Sequence, residues 1–266
     1  MIIGNKVFEN DTYIMGILNV TPDSFSDGGK WNDLDRALFH TEQMINDGAA
    51  IIDIGGESTR PGYTVVPDEE EAERVVPVIR AIKERFDVPI SIDTYKSFVA
   101  DAALSAGADL LNDIWGFKHD PKIAEVCKRH DAACCLMHNR HQIDYTNYFE
   151  DVLADLQESI SIALNAGISR DKICTDPGIG FAKTLEQNLQ LTQNVDILHK
   201  LGFPILLGTS RKSMIGLTLD LPASERVEGT IVTSVLAVQK NCLFVRVHDV
   251  KENYRAVKMA KALINA

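Results

Sequence analysis

Two carboxylates, Asp93 and Asp176, each directly follow a short run of apolar and β-branched residues, and so do two amides, Asn19 and Asn112. A cationic group accompanies them: Arg60 within Glu57-Ser-Thr-Arg-Pro-Gly62, Lys212 within Ser210-Arg-Lys-Ser213, and Arg246-Val-His248. Carboxylates inside a pocket accept hydrogen bonds from the N–H edge of an amino-pyrimidine ring, each charge-assisted bond being worth about 1.5–3 kcal/mol. The cations suit a phosphate or diphosphate, and Ser/Gly-rich segments bring backbone N–H groups to the same place. Asn19 and the Asp-bearing stretch after it offer oxygen ligands to Mg²⁺ shared with substrate phosphates. The chemistry that fits is a polar heterocycle carrying a diphosphate, reacting by displacement of that diphosphate.

Taken singly, each residue also has a plain structural use. An Asp at a strand end often caps the next helix. Arg246 and His248 share a strand face because alternate residues do. Lys212 suits a solvated loop, the Gly-Gly pairs at 28–29 and 55–56 suit turns, and His138 suits the edge of a core. Their common placement decides between the readings, so the elements that carry them matter.

Eight apolar runs are Ile14–Leu18, Ile51–Ile54, Pro89–Ile92, Leu110–Asn112, Ala133–Met137, Ile173–Thr175, Pro204–Leu207 and Leu243–Val247. They recur about every 33 residues, the span of one strand–helix unit. Most do not alternate, as expected of parallel strands buried on both faces. Between them the period becomes helical, with Ala72, Val75, Val76, Ile79 and Ile82 on one face and Leu153, Leu156, Ile160 and Ala163 on another. Asp68-x-x-Glu71 and Thr184-x-x-Gln187 read as capping boxes. Gly107 and Gly167 read as helix stops. Eight units without a compositional break predict an α/β protein, a (β/α)8 TIM barrel forming one domain over 1–266, with residues 1–13 as a short hairpin at its bottom. A doubly wound sheet fits less well, because the first strand runs into Asn19-Val-Thr-Pro-Asp23 and not into a G-x-G-x-x-G loop. Every polar group named above then falls on the C-terminal end of the barrel, where such barrels place their active sites.

Composition agrees. The chain has 266 residues, 24% charged and 45% hydrophobic, with 27 Lys+Arg against 38 Asp+Glu and a net charge of −11. An acidic surface argues against nucleic acid or anionic membrane as partner. No apolar run reaches the ~18 residues of a membrane span, and the N-terminus lacks a signal-peptide pattern. The five cysteines show no metal-ligand spacing, and Cys134-Cys135 lies inside an apolar run, so a reduced, cytoplasmic setting is expected.

Read together, Met15-Gly-Ile-Leu-Asn-Val-Thr-Pro-Asp-Ser-Phe-Ser-Asp-Gly28, Asp53-Ile-Gly-Gly-Glu-Ser-Thr-Arg-Pro-Gly62, Ile90-Ser-Ile-Asp93, Leu136-Met-His138, Asp176-Pro-Gly-Ile-Gly-Phe181, Ser210-Arg-Lys-Ser213 and Arg246-Val-His248 strongly resemble the dihydropteroate synthase family. The resemblance implies a homodimeric barrel that joins 6-hydroxymethyl-7,8-dihydropterin diphosphate to 4-aminobenzoate with Mg²⁺, and a site for which sulfonamides compete. It implies that Asp93, Asn112, Met137, Asp176 and Lys212 line the pterin pocket, with Asp93, Asp176 and Lys212 the groups closest to the chemistry. By the same resemblance Asn19, Thr59, Arg246 and His248 hold the diphosphate, with Asn19 also on Mg²⁺. Phe25, Arg60, Pro61, Phe181 and Ser213 would shape the aminobenzoate site. The stretch Asn139-Arg-His-Gln-Ile-Asp-Tyr145 departs from the family's pattern, and no catalytic role is assigned to it. A pterin-binding methyltransferase would share the pterin Asp and Asn but has no use for Arg60, Arg246 or His248. A non-catalytic homologue would lose the aminobenzoate loops first, and both keep their motifs.

Overall fold

The computed structural model describes residues 1–21, 30–57 and 65–266. A two-residue hairpin, β1 (Ile2–Ile3) with β2 (Lys6–Val7), opens the chain. Eight parallel strands follow: β3 (Tyr13–Asn19), β4 (Ala49–Gly55), β5 (Ile90–Asp93), β6 (Leu110–Asp113), β7 (Ala133–Met137), β8 (Ile173–Asp176), β9 (Leu206–Leu207) and β10 (Phe244–Val247). They form one sheet in the order β8-β7-β6-β5-β4-β3-β10-β9. A parallel bridge from Thr175 to Ile205 joins its two ends, so the sheet is the expected barrel. β9 is shorter than the apolar run 204–207; the Pro204 carbonyl accepts from Thr175 and the Ile205 carbonyl from Leu243 and Phe244.

The helices between are α1 (Lys30–Asn46), α2 (Asp68–Arg85), α3 (Ser97–Ser105), α4 (Ile123–Arg129), α5 (Tyr148–Asn165), α6 (Leu185–Gln193), α7 (Ser213–Leu219), α8 (Val227–Gln239) and α9 (Val250–Ile264). The capping box of Thr184 and Gln187 is present in full at the start of α6. The one read at Asp68 and Glu71 is not. Pro67 occupies the N-cap of α2 with no side-chain cap, and Glu71 turns inward to Lys96 at 2.7 Å. A buried cation outbids an orphan backbone N–H for that carboxylate. On α2 Val78 is buried in place of Val76, and on α5 Val152 in place of Leu153.

Inward-facing positions recur every second residue along each strand, and this alternation builds the site. The lower layer is apolar: Met15, Ile51, Leu110, Cys135, Cys174, Leu206 and Phe244 cluster with Ile3 and Phe8 of the N-terminal hairpin segment. One step of two further along the same strands stand Asp53, Asn112, Met137, Asp176, Gly208 and Arg246. Asp93 pairs in register with Gly55 on one side and Asn112 on the other. The five cysteines are buried and unbridged. Among the described residues no helix is long and apolar enough to cross a membrane.

Candidate active site

The mouth of the barrel is a ring of charges crossed by one arginine. Arg246 donates from Nε to Asp53 Oδ2 at 2.5 Å and from Nη2 to Asp93 Oδ2 at 2.6 Å. Asn112 Nδ2 reaches Asp53 Oδ1 at 3.5 Å. Burial alone would lower the Arg246 pKa, but the two carboxylates more than offset it and raise it. Burial pushes the Asp93 carboxyl up to about 7, against the pull of Arg246. Asp93 Oδ1 is buried and has no hydrogen-bond partner among the described residues. A buried acceptor left in this way is costly in a finished core and useful in a binding site.

Asp176 stands on the neighbouring arc. Its Oδ1 accepts the Gly178 N–H at 2.6 Å, and burial raises its pKa against the opposing charge of Lys212. Burial likewise lowers Lys212 to about 8. Lys212 donates to the Ile179 carbonyl oxygen and lies 4.9 Å above the Phe181 ring centre. The ring carries no side chain at Gly55 or Gly208. A Cβ at Gly55 would sit 3.8 Å from both Asn19 Oδ1 and the Asp93 Cβ, and one at Gly208 would sit 3.4 Å from Asp176 Oδ2. Each glycine thus leaves room beside one carboxylate. Met137 joins Tyr95 and Ile114 in a small apolar cluster at the rim, with Trp115 and Phe181 packed against it.

His248 takes part through Ser210, whose hydroxyl oxygen lies 2.9 Å from Nδ1 and accepts the His248 backbone N–H at 3.0 Å. Ser213 is exposed at the start of α7. The structure therefore brings Asn19, Asp93, Asn112, Met137, Asp176, Phe181, Lys212, Ser213, Arg246 and His248 to one end of the barrel. Phe25, Thr59, Arg60 and Pro61 lie outside the described residues.

Several partners were not foreseen. Asp53 is fully buried beneath Arg246; its spacing of two from Ile51 was the available signal. His138 is fully buried between Asp155 and Lys183, and nothing in the sequence linked these three. Beside the mouth, Lys96 binds both Glu57 and Glu71 at 2.7 Å. A cavity of about 730 Å³ lined by Trp115, His119, Arg140 and His141 also opens there. Its arginine is paired with Asp155 and Asp144. Among the described residues no three His, Cys, Asp or Glu side chains are grouped to hold a metal.

The paired charges and the open acceptor stand at the C-terminal ends of the strands, where parallel barrels hold their active sites. Residues 15–248 match the family described as pterin binding enzyme, and the chain belongs to that family. Within it the similarity is to dihydropteroate synthases. The one from Clostridium beijerinckii is 59% identical over 267 residues, covering 99% of each chain. The crystal structure of dihydropteroate synthase from Clostridium difficile in the presence of pteroic acid superposes with a TM-score of 0.94 at 48% identity, covering 97% of this chain and 99% of that one. That of Xanthomonas albilineans with 4-aminobenzoic acid gives 0.92 at 39% identity, covering 97% and 94%.

Proposed function

We propose that the chain carries out the dihydropteroate synthase reaction of folate synthesis at this mouth. The amine of 4-aminobenzoate forms a C–N bond to the exocyclic carbon of 6-hydroxymethyl-7,8-dihydropterin diphosphate. The C–O bond to diphosphate breaks, and the amine gives up a proton. The observation that carries the reading is the pair of buried acceptors, Asp93 Oδ1 without a partner among the described residues and Asp176 Oδ2 beside Gly208, each carboxylate with room that a glycine leaves beside it. Donors on an amino-pyrimidine edge answer both. Asn112 and Lys212 add a donor-bearing amide and a cation for the ring's carbonyl side, and Met137 an apolar floor.

Arg246 uses two of its N–H groups on Asp53 and Asp93; the guanidinium fork carries five. The remaining ones, with the His248 imidazole and Asn19, suit the leaving diphosphate, and Thr59 is assigned beside them. Fixed positive groups at the leaving oxygen stabilise charge as the C–O bond breaks. Phe181 and Ser213, with Phe25, Arg60 and Pro61, are assigned to 4-aminobenzoate.

Mg²⁺ is assigned to the Asn19 amide oxygen as an ion shared with the substrate, whose phosphates and water would complete its coordination. When bound it supplies charge neutralisation at the diphosphate. A homodimer is the proposed assembly. Exposed Leu217 and Leu219 on α7, Val232 on α8, and Met259 and Leu263 on the adjoining α9 supply apolar surface for it. Buried, unbridged cysteines suit a cytoplasmic location.

The test is turnover with both substrates and Mg²⁺, following diphosphate release. Release that requires 4-aminobenzoate supports the reading. Release without it, or none at all, overturns it.

A further inference from the structure

Lys183 belongs to none of the groups assigned above, yet it is almost fully buried beneath the mouth. Its Nζ lies 2.9 Å from the Gly178 carbonyl oxygen, 3.0 Å from that of Phe181 and 2.9 Å from His138 Nδ1. His138 in turn faces Asp155 through Nε2 at 3.0 Å, and Asp155 also receives Arg140 Nε at 2.6 Å. Because Asp155 accepts from Nε2, Nδ1 is left as an acceptor, and all three contacts of Lys183 are donations. Three donors on one nitrogen are what an ammonium offers, and this geometry works against burial, which lowers the Lys183 pKa to about 7.

The turn so held is fixed elsewhere too: Asp176 Oδ1 accepts the Gly178 N–H at 2.6 Å, the Tyr145 hydroxyl donates to the Ala182 carbonyl oxygen at 3.0 Å, and Ile179 is fully buried in the core. It runs from Asp176 through Gly178, Gly180 and Ala182, which have φ of 68°, 89° and 43°. A left-handed alanine is a strained choice, and at Gly178 a Cβ would collide with the His138 carbonyl oxygen. Its own backbone contributes one bond, Phe181 N–H to Gly178 O at 3.2 Å, and Asn188 accepts the Gly180 N–H at 2.6 Å. Two lysines divide the carbonyls: Lys183 takes 178 and 181 from below, and Lys212 takes 179 from the mouth side. The Phe181 ring then lies under Lys212.

We propose that Lys183, steadied by His138 and Asp155, is a positioning residue for the aminobenzoate subsite, holding the 178–181 turn so that Phe181 and Lys212 face the mouth together. This rests on the reading that Phe181 lines that subsite. Around Lys183 stand His138, Asp176, Lys212, Asp155 and Arg140.

The experiment is steady-state kinetics on the full-length enzyme with Lys183→Met, Lys183→Gln and Phe181→Ala, at saturating dihydropterin diphosphate and Mg²⁺. Lys183→Met is expected to raise KM for 4-aminobenzoate roughly tenfold or more, since misplacing a positioning group by about an ångström has effects of that size or larger. KM for the pterin substrate, measured in a second series at saturating 4-aminobenzoate, and kcat should change too but by less, because Lys212 is assigned to the pterin pocket and shares the turn with Phe181. Lys183→Gln keeps two N–H donors and should fall between. If Lys183→Met does not fold, the glutamine variant decides on the same KM. A lower melting temperature with KM for 4-aminobenzoate unmoved makes Lys183 merely structural and overturns the proposal. If Phe181→Ala raises that KM and the Lys183 variants do not, the positioning idea alone fails. If Phe181→Ala leaves it unmoved, the subsite reading fails and takes the proposal with it.

Discussion

Two buried charge clusters flank the same barrel mouth and are built to opposite ends. In the first, Glu57 accepts from Lys96 at 2.7 Å, from the Tyr95 hydroxyl at 2.9 Å and from the Val66 N–H at 2.7 Å, while Glu71 and the Val66 carbonyl take the other Lys96 donors. Every donor of the lysine has an acceptor. In the second, Arg246 binds Asp53 and Asp93, but Asp93 Oδ1 is left buried without a partner among the described residues. A closed cluster spends its electrostatics on holding the fold, whereas an open one carries a desolvation cost that a ligand can relieve. The ionisation directions agree. Burial would lower Lys96, but its two carboxylates raise it; burial raises Asp93, and Arg246 does not fully offset it.

The widest separation between the clusters should come from Lys96→Met. It strands two buried carboxylates and is expected to cost about 3–5 kcal/mol of stability, read by urea denaturation. Adding Glu57→Gln and Glu71→Gln should recover a large part of that loss. If the single variant unfolds no more easily than the parent, the closed cluster is not structural. Asp176→Asn should do the converse. One acceptor oxygen becomes a donor facing donors, so calorimetry should show pterin affinity weakened by about 1.5–3 kcal/mol. The Gly178 N–H keeps an oxygen to bond, so stability should hold. Unchanged affinity would return Asp176 to a capping role.

The pH dependence sharpens the contrast further. With its folded pKa raised above the ordinary 3.8 to about 7, Asp93 holds more protons folded than unfolded between those values. Its contribution to stability is therefore full below about pH 3.8 and is lost as pH rises through about 7. Melting curves for the parent and Asp93→Asn should converge or cross as pH rises across that window and run parallel above it. The slope from one such group stays under about 1.4 kcal/mol per pH unit. Parallel curves throughout would mean that Arg246 keeps Asp93 ionised. The smallest effect serves as the baseline: Thr184→Ala removes the capping box of α6, away from both clusters. It should cost about 1 kcal/mol of stability, read by the same urea denaturation.

How much of this was legible beforehand follows the range of the interactions involved. Strand runs, the Thr184 box and the helix stops at Gly107 and Gly167 depend on residues within a few positions of one another, and the sequence by itself determined them. It also determined which residues share the barrel's upper layer, because a period of two carries Cys174 to Asp176 and Phe244 to Arg246. The Asp68–Glu71 box failed for a long-range reason: Lys96, 25 residues on from Glu71, claimed the glutamate. Only the tertiary structure decided which charges meet. Arg246 lies 193 residues from Asp53 and 153 from Asp93. They touch because closure sets the last strand beside the first, and no local pattern encodes a partner across that seam. Lys183 makes the same point within a shorter span: its bond to His138 crosses 45 residues. It exists because β7 and β8 are neighbours in register, which places the turn after one strand over the end of the other.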